Sequence, residues 1–211
     1  MIMMKTILLY IIGALACLLP AVAQQPDART ILDRTAEAFR KSGGVTMAFT
    51  IHASGGASMG TIRLKGDKFL LESEDMTTWF DGNTQWSYLA SADEVNISEP
   101  TAEELQTINP YALLSIYKQG YRLALEKTDA SRSSNLYGVR LTATDRRREL
   151  QSVVVYMTKD SYRPVRISTT QRGGETAVIS IDSYRSGENH PDALFVFDKK
   201  KYPTAEIIDL R

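Results

Sequence analysis

The sequence predicts a mainly β protein with a few helices, an α+β fold built on an antiparallel sheet. Three observations predict it. Apolar residues alternate with period two through most of the 211-residue chain, Gly, Asp and Asn turn signals interrupt them at short intervals, and helical periodicity is confined to the N-terminal part and one middle stretch. Such short connections exclude a doubly wound parallel sheet, whose strand pairs need crossovers of about a dozen residues or more.

The elements follow in order. Lys5 precedes an uncharged run from Thr6 to Ala23, and Pro20 introduces the small-residue site Ala21-Val22-Ala23, the layout of a signal peptide cut after Ala23. The run barely reaches membrane-spanning length, which disfavours an anchor. Cys17 suggests a lipidated N-terminus, but Ala14-Leu15-Ala16-Cys17 lacks the Leu expected three residues before a lipobox cysteine. Residues 1–23 are therefore read as a signal peptide and 24–211 as one domain, free of cysteine and exported to the periplasm. Asp27 is placed to cap a helix whose apolar face carries Ala28, Ile31, Leu32, Thr35, Ala36 and Phe39, with Gly43-Gly44 to end it.

The period then changes. Val45, Met47, Phe49, Ile51 and Ala53 alternate with smaller or polar residues, and Gly55-Gly56 turns the chain back through Ile62 and Leu64. Further short strands follow at Phe69 and Leu71, Thr77 to Phe80, Trp86 and Tyr88, and Val95 and Ile97, with turns at Gly66-Asp67 and Asp81-Gly82. Thr101 is placed to cap a short helical turn, and Asn109-Pro110 opens a second helix carrying Tyr111, Leu113, Leu114, Ile116 and Tyr117 before Gly120. Strands resume at Tyr121, Tyr137, Val153, Val165 and Ala177; Phe195 and Phe197 alternate near the end, and Glu206 to Leu210 suits a last strand. The reading is one sheet of about ten strands, antiparallel throughout.

Composition narrows function. Twenty-five Lys plus Arg balance 25 Asp plus Glu, which argues against a nucleic-acid binder, whose affinity needs a basic surface. One cysteine allows neither a disulfide framework nor a Cys-rich metal site. His52 and His190 stand apart from any metal-ligand spacing, and no phosphate loop or G-x-S-x-G elbow occurs. Glu72, Glu74 and Asp75 form the densest acidic group, a weak acid/base candidate. No cofactor, no metal and no catalytic residue is expected. Arg146 to Arg148 and Lys199 to Lys201 read as solvated loops or as docking points for an acidic partner or anionic membrane.

The large apolar side chains remain. By periodicity alone Met47, Phe49, Phe69, Leu71, Trp79, Trp86, Tyr88, Tyr111 and Leu114 fill a core. Few helices are available to cover so much sheet, however, and a curved sheet incompletely filled leaves a pocket for a hydrophobic ligand.

The stretch Asp81-Gly82-Asn83-Thr84-Gln85-Trp86-Ser87-Tyr88, preceded by the Lys65 to Leu71 strand and followed by Pro110-Tyr111-Ala112-Leu113-Leu114, resembles the periplasmic outer-membrane lipoprotein carrier family, the LolA-like proteins. The likeness runs from the Ile31 helix to Phe195-Val196-Phe197 through short motifs. It implies a strongly curved antiparallel sheet forming an incomplete barrel under a helical lid, which shields lipoprotein acyl chains between the inner and outer membranes. The implied partners are lipoprotein acyl chains or lipid, an inner-membrane release complex and an outer-membrane acceptor. The acyl-chain-binding set implied here is Met47, Phe49, Ile62, Leu64, Phe69, Leu71, Trp79, Trp86, Tyr88, Val153 and Val155, with Tyr111, Leu113 and Leu114 in the lid. Gly66 stands where the family places an arginine that latches the lid, so Arg63 or Lys65 becomes the candidate to reach a lid carbonyl. Glu in place of Leu114 or Phe69 is expected to abolish lipid retention without unfolding the protein. The alternative is an extracytoplasmic sensing or interaction module on the same fold, reading lipid or protein.

Overall fold

The computed structural model describes residues 26–102, 104–105, 116–127 and 135–211. The signal-peptide reading of 1–23 and the lid residues Tyr111, Leu113 and Leu114 lie outside the described residues.

Helix α1 spans Ala28–Lys41. Asp27 caps it, its carboxylate accepting the Thr30 N–H at 2.7 Å, and Arg40 and Lys41 sit at the negative end of the helix dipole. Ile31, Leu32 and Thr35 form its buried stripe. The Thr35 hydroxyl is satisfied there by donating to the Ile31 carbonyl at 2.9 Å, one turn back.

Among the described residues, twelve strands form one sheet. The first six are β1 (Gly44–Ala53), β2 (Gly56–Lys65), β3 (Lys68–Ser73), β4 (Met76–Phe80), β5 (Gln85–Leu89) and β6 (Glu94–Ser98). The next five are β7 (Tyr121–Leu125), β8 (Leu136–Ala143), β9 (Leu150–Thr158), β10 (Pro164–Gln171) and β11 (Thr176–Glu188). Each group is a meander of antiparallel neighbours, and the two meanders join where β11 pairs with β1. The result is a single curved sheet left unclosed, mainly β with few helices as the sequence predicts.

Two local features explain why neighbouring strands fit. Phe49 lies directly opposite Gly60, and a methyl group at Gly60 would stand 2.5 Å from the Phe49 ring, so the glycine makes room for the aromatic side chain. Gly66 turns β2 into β3 with φ +58°, a conformation that suits glycine.

The end of the chain departs from expectation. Phe195 closes a short 3-10 turn (Asp192–Phe195) instead of continuing a strand, and a second turn covers Lys199–Lys201. The segment then delivers β12 (Glu206–Asp209) to the far edge, where it pairs with β6 in parallel. The sheet is therefore not wholly antiparallel. A long crossover permits what a tight turn forbids: residues 189–205 travel over one face of the sheet before pairing.

The two faces carry different cores. On the face covered by α1, Ile31, Leu32 and Tyr117 pack on Val139, Leu141, Val153, Val155 and Met157. Beside them Val45, Met47, Phe49, Ile62, Leu64, Phe69 and Phe80 cluster, with Phe39 of α1 and Leu105 against them; half-buried Ile179 touches both groups. On the opposite face Leu70, Trp79 and Phe195 are buried together with Trp86, Tyr88 and Tyr202 at their margin.

Candidate apolar binding face

The face under α1 is called concave here and the other convex. Strand alternation decides which side chain goes where. Along β3, Phe69 and Leu71 point to the concave face and Leu70 to the convex one. Phe80 lies opposite Phe69 in the β3–β4 pairing, with ring centroids 5.3 Å apart.

Eight of the expected acyl-binding residues therefore share the concave face: Met47, Phe49, Ile62, Leu64, Phe69 and Leu71 in the β1–β4 cluster, Val153 and Val155 under α1. Trp79, Trp86 and Tyr88 do not join them. Trp79 pairs across the β4–β5 hairpin with Trp86, one residue out of phase with Phe80, and its ring meets Phe197 at 5.5 Å and Tyr202 at 5.6 Å. These aromatics bind the C-terminal segment to the convex face. The placement was readable, because a four-residue Asp81 to Thr84 turn that sets Phe80 opposite Gln85 must send both tryptophans to the other side.

Concave side chains that the sequence reading left out of the site are Phe39, Ile51, Leu105, Ile179, Ile181 and Tyr184, all half-buried against the β1–β4 cluster. Ile51, Ile179 and Ile181 follow the same alternation as Met47 and Phe49, and register puts Ile51 opposite Ile179 and Phe49 opposite Ile181. Parity was the available signal.

The cover over this face is held to the sheet by Thr35, whose hydroxyl meets Met157 Sδ at 3.0 Å, and by Arg34, which donates to the Tyr162 hydroxyl at 2.6 Å, and Tyr117 adds a hydroxyl that donates to the Asp33 carboxylate of α1. Burial raises the Tyr117 phenol to about 12, and the Asp33 hydrogen bond adds to the shift.

Arg63 and Lys65 are corrected by the same parity. Both lie on the convex face, out of phase with concave Ile62 and Leu64. Arg63 pairs with Glu72, and Lys65 donates to the His190 carbonyl at 2.9 Å and to Asp192 at 2.8 Å. Lys68 reaches Asp192 at 3.2 Å, and the two lysines hold the Asp192 carboxyl below its ordinary range. These cations fasten the C-terminal segment. Gly66 has open space where a side chain would start.

Ionisable groups form no reaction centre among the described residues. His52 is exposed. His190 is buried on the convex side, its Nε2 3.3 Å from both Thr46 Oγ1 and Glu188 Oε2, so hydroxyl and carboxylate compete for one ring nitrogen instead of flanking the ring as a relay would require. The Thr46 hydroxyl donates to Glu188 and, with Arg185, keeps that carboxyl ionised below its usual range. Among the described residues no group of His, Cys, Asp or Glu is arranged to hold a metal, and no helix is long and apolar enough to cross a membrane. Arg147 clasps Asp145 at 2.8 Å and Arg148 lies over the Tyr121 ring at 5.2 Å, local uses for the basic triplet.

Two of the cavities among the described residues lie on different sides of the sheet. One, of about 780 Å³, opens on the convex face between Arg63, Leu70, Glu72 and Trp79 and the segment from Ala193 to Tyr202. The other, of about 600 Å³, lies at the β5–β6 end and is lined by Gln85, Ser98, Glu99, Pro100, Glu104, Leu210 and Arg211.

A single curved, unclosed sheet is the arrangement that the resemblance implied, and the sequence comparison agrees with it. Residues 19–175 match the family model of the outer membrane lipoprotein carrier protein LolA. The chain belongs to this family. The LolA match stops before β11 and the C-terminal segment, short of the Phe195 end of the likeness drawn from motifs. No functionally curated protein matches the chain. Among solved structures the LolA-family chain is similar to an uncharacterized conserved protein from Thermus thermophilus, at TM-score 0.60 and 14% identity over 86% of this chain and 98% of that one. It is also similar to a LolA superfamily protein from Nitrosomonas europaea (TM-score 0.44, 14% identity, 82% of this chain and 99% of that one). A third likeness is to the Pseudomonas aeruginosa MucA/MucB complex (TM-score 0.44, 16% identity, 81% of this chain and 61% of that one).

Proposed function

We propose that this protein is a periplasmic carrier that binds the acyl chains of lipoproteins, or of a lipid, along its concave face and moves them toward the outer membrane. The observation that carries the reading is the division of that face into two kinds of apolar residue. Val45, Ile62, Leu64 and Phe69 are wholly buried and build a wall, whereas Ile51, Leu71, Ile179, Ile181 and Tyr184 are half-buried along it. A ligand gains most at the second kind, where it replaces water instead of displacing a packed neighbour.

The energetics suit transport without a reaction. Each methylene withdrawn from water contributes about 0.8 kcal/mol, so a pair of long acyl chains exposed in the periplasm would cost tens of kcal/mol. A carrier must offset much of this and still release the cargo. Covering the face with α1 and a lid, instead of closing the sheet into a barrel, leaves a cover that can part and repack. Family membership supports the cargo class, and export by removal of residues 1–23, with 24–211 as the carrier unit, completes the reading. Loading by an inner-membrane release complex and unloading to an outer-membrane acceptor are the implied partners.

Native mass spectrometry of gently purified protein tests the proposal. Retained lipid or acylated peptide that solvent extraction removes is the expected result, and Leu71→Glu and Ile181→Glu should lose it while keeping the native circular dichroism spectrum. A wild-type chain that neither carries lipid nor takes up a fluorescent fatty acid would end the carrier reading. Uptake without transfer from donor to acceptor vesicles is what a sensing module requires instead.

A further inference from the structure

The cavity at the β5–β6 end is lined by a residue, Gln85, whose buried acceptor has no partner among the described residues. Gln85 is 9% exposed and its side-chain nitrogen donates to Ser87 Oγ at 3.2 Å, but its Oε1 is buried with no hydrogen-bond partner. A buried carbonyl oxygen left in this way disfavours the folded protein unless a donor arrives from outside. The lining says which donor. Glu99 and Glu104 supply carboxylates, Ser98 a hydroxyl, and the lining cation, Arg211, is paired with Asp209 at 2.6 Å while its charge also reaches Glu99. Glu99 accepts only a long contact of 3.3 Å from Asn83, and Glu104 accepts from the Thr101 N–H at 2.7 Å, which holds its carboxyl below the ordinary range.

We infer that this cavity binds a primary ammonium group, with Gln85 Oε1 and Glu99 accepting its N–H bonds. The position connects it to the concave face. Gln85 lies opposite Phe80 in the β4–β5 pairing and so shares its side of the sheet, and Leu105, next to Glu104, packs against the cluster containing Phe80. An amphiphile with its chain along Phe80 and Leu71 would bring its head to Gln85. The chain's placement rests on the acyl-binding reading; the ammonium site rests on the unpartnered carbonyl and the two carboxylates.

The choice between hydrogen bonding and mere charge is testable, because a trimethylammonium group carries the same charge and has no N–H to give. A cavity of about 600 Å³ admits either head, so size does not decide. Lysophosphatidylethanolamine should bind the full chain roughly tenfold more tightly than lysophosphatidylcholine with the same acyl chain, the effect of a hydrogen bond to a charged partner. Gln85→Met should bring the two affinities together by weakening only the ethanolamine lipid, whereas Glu99→Gln should weaken both. Chain-free ethanolamine and choline separate the two sources of an ammonium group: saturable shifts of the Ser98 and Glu99 amides with ethanolamine alone, as tight as with the lipid, identify a free amine as ligand, and weaker ones a lipid head. Equal affinities for the two lipids in the wild type, or a tenfold ratio that survives Gln85→Met, overturn the site. If neither lipid binds and ethanolamine still shifts those amides, the ammonium site stands and the acyl reading falls. If neither lipids nor ethanolamine act on them, both fall.

Discussion

The two faces of β3 to β5 are built from adjacent residues and do opposite things. Phe69, Leu71 and Phe80 look onto a mixed aliphatic and aromatic surface shared with β1, β2 and β11, under helix α1. Leu70, Trp79, Trp86 and Tyr88 look the other way into an aromatic cluster closed by Phe195, Phe197 and Tyr202. The concave cover is tied to the sheet by Thr35, whose hydroxyl meets Met157 Sδ at 3.0 Å, and by Arg34, which donates to the Tyr162 hydroxyl at 2.6 Å, with Tyr117 donating to Asp33 within the cover, whereas the convex cover adds ion pairs from Lys65 and Lys68 to Asp192. One side is thus fastened by ion pairs, whereas among the described residues no ion pair ties α1 to the sheet. A single methylene's worth of burial is similar on both; what differs is whether charge pairs help to pin the covering element.

The sharpest way to break this contrast is Phe69→Glu. The sequence reading expected a folded variant without lipid, but Phe69 has no exposed surface and faces Phe80. An ionised carboxylate there loses its hydration and gains no partner among the side chains of that cluster, so the expected outcome is loss of the cooperative unfolding transition, seen by circular dichroism. A folded Phe69→Glu protein would mean that the concave wall is far softer than its burial indicates.

Next in size is Trp79→Ala on the convex side. Removing a buried aromatic costs about 3–5 kcal/mol in a tight core, and the low end is expected here because Trp79 already borders the 780 Å³ cavity. Urea denaturation measures the loss. Lipid retention should be unchanged, and a Trp79→Ala protein that keeps its fold and loses its lipid would remove the functional division between the faces.

How far this division was legible depends on what fixes each part. The Asp27 cap, the Gly55-Gly56 and Asp81-Gly82 turns and the period-two runs of β1 to β11 are local and led to the observed elements, whereas the Phe195 and Phe197 alternation led to a 3-10 turn. The concave set was half legible: Met47, Phe49, Ile62 and Leu64 were placed by alternation, while Trp79, Trp86 and Tyr88 were pooled with them because residue type was weighed before register. The β12–β6 parallel pair and the orphaned Gln85 carbonyl were illegible for a different reason. Both arise where the chain returns after crossing a whole face, and no local pattern encodes that arrival.

A smaller effect distinguishes the covers by alkali. The Tyr117 phenol is raised to about 12, above the ordinary value of 10.0 that it regains on unfolding. Its folded form thus binds the proton more tightly, and the stability this contributes is complete below pH 10.0 and is lost as pH rises toward 12. Tyr117→Phe should flatten that alkaline limb in thermal melts. An unchanged limb would mean that the Asp33 contact does not hold the cover.

The smallest effect belongs to the convex strap in acid. Lys65 and Lys68 lower the Asp192 carboxyl from 3.8, so its contribution is present above that pH and is lost as pH falls through the lowered value. The pair is half-exposed and salt-screened, and most of the segment's hold comes from Phe195 and the aromatic cluster. Lys65→Met should therefore shift stability by only a fraction of the Trp79→Ala loss, and added salt should shrink the difference from wild type. Its informative readout is local: hydrogen exchange at Leu194 and Ala205, whose amides bond within this segment, should quicken, while exchange in α1 does not change. Faster exchange in α1 as well would show that the two covers open together, in which case releasing the convex strap would itself open the lipid face.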